Sequence, residues 1–271
     1  MQKGIDVSKH NGTIDWAKVK ASGIQFAMIR AGYGQTNIDP QFKRNISECN
    51  RLGIPCGVYW FSYAYTEEMA RKEAAACLRA IKPYKLDYPV AFDFEYDSVD
   101  YAAKKGVTIT KTLASRITRA FCGAVEAAGY YVVNYANADY LSRYFDAGVR
   151  VAYDLWLAQW PKTPNLSSPP ECGIWQYSST GSVSGISGDV DLNAAYKDYP
   201  AIINKTSGKT EEKKETAPVE KVEKTETEKE RDAAREWVMS QGISDGTNPD
   251  SPATRSQVWV MLYRMAEKML R

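Results

Sequence analysis

The chain has 271 residues, of which 44% are hydrophobic and 25% charged, and its net charge is +2. A chain of this length can bury one large core or two smaller ones, and a charge so close to neutral does not favour nucleic-acid binding. The single histidine, His10, excludes zinc amidases and zinc peptidases, which usually need two or more histidine ligands. We therefore expect no metal and no other cofactor.

The cysteines are odd in number and scattered, without a C-x-x-C pair, which indicates free thiols in a chain that folds in a reducing cytoplasm. The N-terminus begins directly as a strand, and no apolar run is long enough to cross a membrane. We therefore expect a protein made in the host cytoplasm without a signal peptide and without membrane insertion.

Strand and helix patterns alternate along residues 1–200. Strands are predicted over 4–8, 24–31, 54–62, 88–97 and 130–135, and helices over 15–21, 40–51, 66–81 and 110–128. Later segments, at 155–160, 174–177 and 190–192, are strand-like and joined by turns. Alternating units predict a parallel sheet, and five units followed by strands favour an α/β barrel that closes irregularly.

The stretch Tyr88–Asp97 enters as an apolar strand and ends in carboxylates. Alternation along a strand places Phe92 and Phe94 on one face and both Asp93 and Glu95 on the other. Cleavage of a glycosidic bond needs such a pair, one acid to protonate the leaving oxygen and one carboxylate to face developing positive charge. The alternative is an exposed strand end with solvated acids.

Two further acids lie at strand ends. Asp6 ends the first strand, and Asp191 falls near the last one. The carboxyl ends of parallel barrel strands gather at one face, where active sites are built. We therefore expect Asp6, Asp93, Glu95 and Asp191 to converge.

At this point the chain resembles the glycoside hydrolase family 25 lysozymes, the muramidases that include many phage endolysins. The resemblance covers about residues 3–200, and its motifs occur in order on the expected elements. The residues that carry it are Gly4-Ile5-Asp6-Val7-Ser8, Phe92-Asp93-Phe94-Glu95, Tyr135, Leu155-Trp156-Leu157-Ala158, and Ile174-Trp175-Gln176-Tyr177 through Asp189-Val190-Asp191.

The resemblance implies an irregular (β/α)5β3 barrel that cleaves the β-1,4 bond between N-acetylmuramic acid and N-acetylglucosamine. It implies that Glu95 is the general acid and that Asp93 steadies the acetamido group or the charge at the anomeric carbon. Asp6 and Asp191 would tune these two groups. Retention and inversion of the anomeric centre both stay open.

Sugar rings bind on flat apolar platforms. Tyr59 and Phe61 match the aromatic pair of the family, and the other candidates are Tyr33, Tyr63, Tyr135 and Trp156. Core packing is the alternative role for each of them. The residue between the pair, often His in the family, is Trp60 here, and we expect it to point away from the cleft.

The sequence divides into a barrel over 1–204, a charged segment over 205–230 and a C-terminal segment over 231–271. The charged segment is rich in Lys, Glu and Thr and has too few apolar residues to form a core, which predicts a flexible linker. A coiled coil is the competing interpretation, but apolar a and d positions are missing.

The C-terminal segment is predicted to form two helices and resembles part of an S-layer homology module, through Gly242-Ile243-Ser244-Asp245-Gly246, Thr254-Arg255-Ser256-Gln257 and Leu262-Tyr263-Arg264. The resemblance implies binding of an anionic secondary wall polymer, with Arg255 as the candidate contact. Gln257 replaces the acid of the motif, and a single shortened copy is present. A helical hairpin used only for self-association is the alternative, and we expect a homo-oligomer through residues 231–271.

Together these features predict a phage-type endolysin that acts on the cell wall after release at lysis. A chitinase-like barrel is a second possibility, but its D-x-D-x-E pattern needs an acid at position 91, which is Ala91. A non-catalytic wall-binding protein on a barrel scaffold is a third, and four intact carboxylates argue against it.

Overall fold

The computed structural model of the protein describes residues 1–211, with side chains through Lys205, together with residues 237, 238 and 240. Residues 1–213 form one compact unit and residues 214–271 a second one. Trp237, Val238 and Ser240 are helical, as predicted for this segment. The rest of the predicted linker and C-terminal segment, including Arg255, lies outside the described residues.

The first unit alternates strands and helices. Its strands are β1 (Gln2–Val7), β2 (Phe26–Tyr33), β3 (Asn37–Ile38), β4 (Cys56–Phe61), β5 (Val90–Asp93), β6 (Val132–Asn137), β7 (Asp154–Ala158), β8 (Ile174–Gly181) and β9 (Val190–Ala195). Its helices are α1 (Trp16–Ala21), α2 (Phe42–Leu52), α3 (Glu67–Ile81), α4 (Tyr96–Lys104), α5 (Lys111–Ala127), α6 (Ala138–Arg143), α7 (Ala147–Ala152) and α8 (Tyr199–Glu211).

Eight of the strands close into a barrel. Parallel pairing runs from β1 to β2 and on through β4, β5, β6, β7 and β8. Strand β9 pairs antiparallel with both β8 and β1 and closes the circle, while β3 is a short antiparallel extension of β2. This topology confirms the predicted irregular (β/α)5β3 barrel.

Local signals in the sequence set the ends of the main helices. The hydroxyls of Thr66 and Thr110 accept hydrogen bonds from the third backbone N–H of α3 and α5, both at 3.2 Å. Gly53 ends α2 with φ at 65°, a left-handed conformation that favours glycine. These three helix ends confirm the sequence-based predictions.

Two apolar layers surround the sheet. The outer layer, between strands and helices, includes Phe92, Phe94 and Trp60. Both phenylalanines thus lie on the face opposite Asp93, as the alternation predicts. Trp60 is fully buried there and donates from Nε1 to the Gly34 carbonyl at 2.9 Å, which confirms that it points away from the cleft.

The inner layer fills the barrel at the N-terminal ends of its strands. Phe26 and Tyr88 stack with ring centroids 4.4 Å apart, and Tyr199 from α8 packs on Tyr88 at 5.6 Å. A Cβ on Gly4 would lie 2.4 Å from the Phe26 ring, so only glycine fits at that point of β1. Helix α8 therefore closes this end of the barrel with aromatic side chains.

The structure differs from the prediction at three element ends. Strand β5 stops at Asp93 rather than continuing to residue 97, because Glu95 is the N-cap of α4, a helix that the acidic sequence did not indicate. Strand β2 continues to Tyr33, two residues beyond the predicted strand end at residue 31. Helix α8 continues past Lys205, where the predicted linker begins.

Candidate active site

The four predicted carboxyl groups meet at the C-terminal end of the barrel. Asp6 and Asp191 are direct partners in the antiparallel register of β1 and β9. Asp93 is the last residue of β5, and Glu95 follows two residues later at the start of α4. Asp6 and Asp93 are buried, whereas Glu95 and Asp191 are partly exposed.

Two side-chain amides donate hydrogen bonds to the carboxyl of Asp6. Its Oδ2 accepts hydrogen bonds from Gln176 Nε2 and Asn193 Nδ2, both at 2.8 Å. Burial, followed by the negative charge of Asp191, raises the pKa of Asp6 to about 8 despite these two bonds. Burial also raises the pKa of Asp191, to about 6. These acids therefore retain protons at a pH where an exposed aspartate is ionised.

Asp93 and Glu95 form a coupled pair. Burial, the charge of Glu95 and a hydrogen bond shared with that carboxyl raise the pKa of Asp93 well above its usual range. Burial raises the pKa of Glu95 as well, although the shared hydrogen bond opposes the rise. Both carboxyl groups therefore favour their protonated form more than an exposed acid does.

One oxygen of this pair is unsatisfied. Oδ1 of Asp93 is buried and has no hydrogen-bond partner among the described residues. A buried acceptor without a partner is destabilising in a folded protein. It belongs to the last residue of β5, at the strand end where the four acids meet.

A cavity of about 390 Å³ opens beside Glu95. Aromatic side chains form much of its wall, among them Tyr96, Tyr135, Tyr140 and Trp160. The side chains of Tyr96 and Trp160 are 49% and 57% exposed, so both rings are accessible to a bound molecule. The carboxyl of Glu95 thus faces a pocket with flat apolar walls.

Tyr96, Trp160 and Gln176 were not predicted as site residues. Gln176 is a hub, since its Oε1 accepts from the Tyr135 hydroxyl at 2.9 Å and from Trp160 Nε1 at 3.2 Å while its amide holds Asp6. Trp160 could have been predicted from its position in the sequence, because it follows closely after a parallel strand, and the C-terminal ends of such strands face the site.

The predicted aromatic platforms separate into two groups, the first inside the barrel. Trp156 contacts Tyr135 and Tyr59 edge-on, with centroids 4.8 and 5.9 Å away. Trp156 is only 1% exposed and donates to Asn193 Oδ1 at 2.8 Å. Its position suits support of Tyr59 and Tyr135 and does not suit stacking on a sugar.

The second group lies on the far side of β4. Phe61 packs on Tyr63 with centroids 5.1 Å apart, and Tyr63 packs on Tyr101 at the same distance. Tyr33 and Tyr63 line a separate cavity of about 260 Å³. The structure therefore brings Tyr135 to the Glu95 cavity and places Tyr33 and Tyr63 at a neighbouring one.

Coupled carboxyl groups at the strand ends of an α/β barrel, beside an aromatic-walled cavity, define a glycoside hydrolase. Residues 5–186 match the family described as glycosyl hydrolases family 25. The chain belongs to this family.

Known relatives are similar over the same part of the chain. Lysozyme M1 of Streptomyces globisporus is 29% identical over 207 residues, which span 70% of this chain and 66% of that protein. The solved modular autolysin LytC of Streptococcus pneumoniae is 31% identical, with a TM-score of 0.61, covering 72% of this chain and 46% of LytC. A family 25 glycosyl hydrolase from Bacillus anthracis is 26% identical, with a TM-score of 0.62, covering 75% and 93%.

Proposed function

We propose that this glycoside hydrolase is an N-acetylmuramidase, a lysozyme that hydrolyses the β-1,4 bond between N-acetylmuramic acid and N-acetylglucosamine in peptidoglycan. One observation carries the proposal: the acids meet at the strand ends of the barrel, and Glu95 is the one whose carboxyl lines the open, aromatic-walled cavity. The lysozymes and autolysins among the relatives support the same substrate.

Glu95 acts as the general acid. Its carboxyl, whose pKa is raised by burial, delivers a proton to the glycosidic oxygen, so that the bond to the anomeric carbon breaks while the leaving sugar keeps the bonding electrons. Asp93 is the buried acid beside Glu95, and it steadies the acetamido group or the positive charge that develops at the anomeric carbon. Water supplies the hydroxyl that completes hydrolysis.

Asp6 and Asp191 act through charge rather than by contact with the leaving group. Asp6 raises the pKa of Asp93, and Asp191 raises those of Asp6 and Glu95, so protonation of one acid favours ionisation of another. Tyr96, Tyr135 and Trp160 offer ring faces and a phenol to the sugars in the cavity. Tyr59, which contacts Trp156 inside the barrel, and Phe61, which packs on Tyr63, extend the aromatic surface.

The residues that follow the barrel are proposed to bring the enzyme to the cell wall. The residues beyond the end of α8, up to residue 230, serve as a linker, and residues 231–271 bind an anionic wall polymer through Arg255 or associate with other copies of the chain. No helix among the described residues is long and apolar enough to cross a membrane. Release of the enzyme at lysis, as for an endolysin, fits this organisation. Light scattering of the full chain at micromolar concentration tests self-association, and a monomer would contradict it.

The substitution Glu95→Gln tests the proposed function. The amide fills the same volume but cannot donate the catalytic proton, so lysis of purified walls should fall by about 10²–10⁴-fold. Glu68→Gln, on the solvent-exposed side of α3, is the matched control and should retain wild-type activity. Near-wild-type lysis by Glu95→Gln would overturn the assignment.

A further inference from the structure

A buried hydrogen-bonded chain connects α3 to the backbone of Glu95. Ser62 Oγ donates to Glu73 Oε2 at 2.6 Å, and Glu73 Oε1 accepts from the Tyr63 N–H at 3.0 Å. Ser98 Oγ donates to the Ser62 carbonyl at 2.6 Å and accepts from the Glu95 N–H at 3.0 Å. Glu73, Ser62 and Ser98 are each fully buried.

Every hydrogen bond in this network pairs one available donor with one available acceptor. Each serine hydroxyl has one proton, and each uses it once, Ser62 toward Glu73 and Ser98 toward the Ser62 carbonyl. The lone pairs are also used, since the hydroxyl of Ser62 accepts from the Ala64 N–H at 3.1 Å. A chain with a single consistent direction holds its members in one arrangement.

Ser62 fastens both ends of the catalytic segment. Its N–H donates to the Asp93 carbonyl at 2.8 Å, and its own carbonyl receives the Ser98 hydroxyl that holds the Glu95 N–H. The backbone between Asp93 and Ser98 is therefore tied to one residue just beyond β4. This segment leaves its strand after Asp93, so sheet pairing alone does not fix the position of Glu95.

A buried glutamate such as Glu73 stabilises a core less than an apolar residue would. A buried carboxyl is stable only when hydrogen bonds compensate for the loss of water, and apolar residues of similar volume usually serve a core better. Burial raises the pKa of Glu73 to about 7. Both hydrogen bonds of the Glu73 carboxyl are made to Ser62 and Tyr63, the residues that follow β4. We therefore assign Glu73 a role in holding this loop, which lies beside the active site.

We propose that Glu73, Ser62 and Ser98 form a positioning clamp that sets the carboxyl of Glu95 at the distance from Asp93 and from the glycosidic oxygen that proton delivery requires. The clamp rests on the proposed role of Glu95 as general acid. None of its three members lines the Glu95 cavity, so they act on Glu95 as positioning residues. Displacement of a reacting group by about 1 Å can lower a rate by about 10²-fold, which makes such a clamp consequential.

Ser98→Ala tests the clamp, and the chain offers a matched control. Ser115 is also a fully buried helical serine that donates to a backbone carbonyl, that of Tyr144 at 3.3 Å, and accepts from a backbone N–H, that of Asp146 at 3.0 Å. It belongs to α5 and bonds to no residue of the site. Ser98→Ala and Ser115→Ala thus remove the same kinds of bonds in two places.

The assay measures kcat and KM for reducing-end release from soluble glycan strands, per folded molecule, with the folded fraction taken from the thermal unfolding transition. Ser98→Ala should lower kcat about tenfold with KM unchanged, and Ser115→Ala should leave kcat within about twofold of wild type. Glu73→Gln, which keeps the core filled, should lower kcat by a smaller factor, and it decides the question if Ser98→Ala does not fold.

Two results would overturn the clamp, and the Glu95→Gln control separates the clamp from the proposed function. Equal kcat for Ser98→Ala, Glu73→Gln and Ser115→Ala would overturn the clamp, and so would losses that disappear when activity is expressed per folded molecule. Glu95→Gln is measured alongside. If it is inactive while the clamp variants behave as wild type, only the clamp is wrong, whereas an active Glu95→Gln contradicts the proposed function itself.

Discussion

The two ends of the barrel interior differ in chemistry although the same strands build both. At the N-terminal end, Phe26, Tyr88 and Tyr199 pack against one another without exposed surface. The C-terminal end carries four acids, an open cavity and a buried carboxyl oxygen that has no hydrogen-bond partner among the described residues. One end stabilises the fold and the other holds destabilising groups that catalysis uses.

This division explains how the barrel tolerates its site. Coupled acids that retain protons and a buried oxygen without a partner destabilise the native state. The aromatic closure by α8 contributes burial of large side chains at the opposite end, where it cannot obstruct substrate. Substitutions at the two ends should therefore have opposite signatures.

The largest effect is expected at the closed end. Tyr199→Ala removes a fully buried ring and should lower the free energy of unfolding by about 3–5 kcal/mol, with unchanged activity per folded molecule. Tyr199→Phe keeps the ring and removes only a hydroxyl that lies 3.4 Å from Asp154, so it is the matched control. Denaturant unfolding measures both. Wild-type stability in Tyr199→Ala would contradict the claim that the N-terminal end of the barrel stabilises the fold.

The next effect belongs to the open end. Asp93→Asn removes the buried acid whose interaction with Glu95 affects the pKa of both groups, so activity on purified walls should fall about 10²-fold. Because the change removes a buried acid, the melting temperature should not fall. Asp100→Asn, an exposed neighbour on α4, serves as the control. Full activity in Asp93→Asn would leave the pair without a role.

The acids should also make stability depend on pH. The pKa values of Asp6, Glu73 and Asp191 are raised to about 8, 7 and 6, so between about pH 4 and 8 the native state binds more protons than the unfolded chain. Stability then decreases as pH rises through this window. Melting temperatures across it check the sign, and Asp6→Asn should flatten the curve. A curve that rises toward pH 8 contradicts these shifts.

The smallest expected effect is that of metal removal. The acids at the open end have raised pKa values that favour their protonated forms, and the chain has one histidine, so we expect activity in excess EDTA to equal that of the untreated enzyme. A loss that zinc restores would show that a cation, and not protonation, balances the acids.

The sequence predicted most of the fold and the four acids, because both depend on short-range patterns. Alternation along a strand placed Asp93 opposite Phe92 and Phe94, and parallel topology gathered the strand ends. The start of α4 was missed, since it depends on a hydrogen bond between the Glu95 N–H and the Ser98 hydroxyl rather than on apolar periodicity.

Two other features depended on contacts between distant segments. Gln176 faces Asp6 in a strand whose register against β9 shifts between Gln176 and Ser178, and such an irregularity leaves no pattern in the residues. Burial of Trp156 follows from its place beneath Tyr59 and Tyr135, whereas a strand pattern shows only that it alternates with its neighbours. Side chains that share a motif can therefore differ in access to substrate.

Mass spectrometry of peptidoglycan digested by the full chain tests the central claim most directly. Reduction of the products before analysis labels each new reducing end, so the sugar that carries the label identifies the bond that was cut. A muramidase must produce reducing ends on N-acetylmuramic acid, and Glu95→Gln must not produce them. Labelled N-acetylglucosamine, or released peptides with intact glycan strands, would contradict the account.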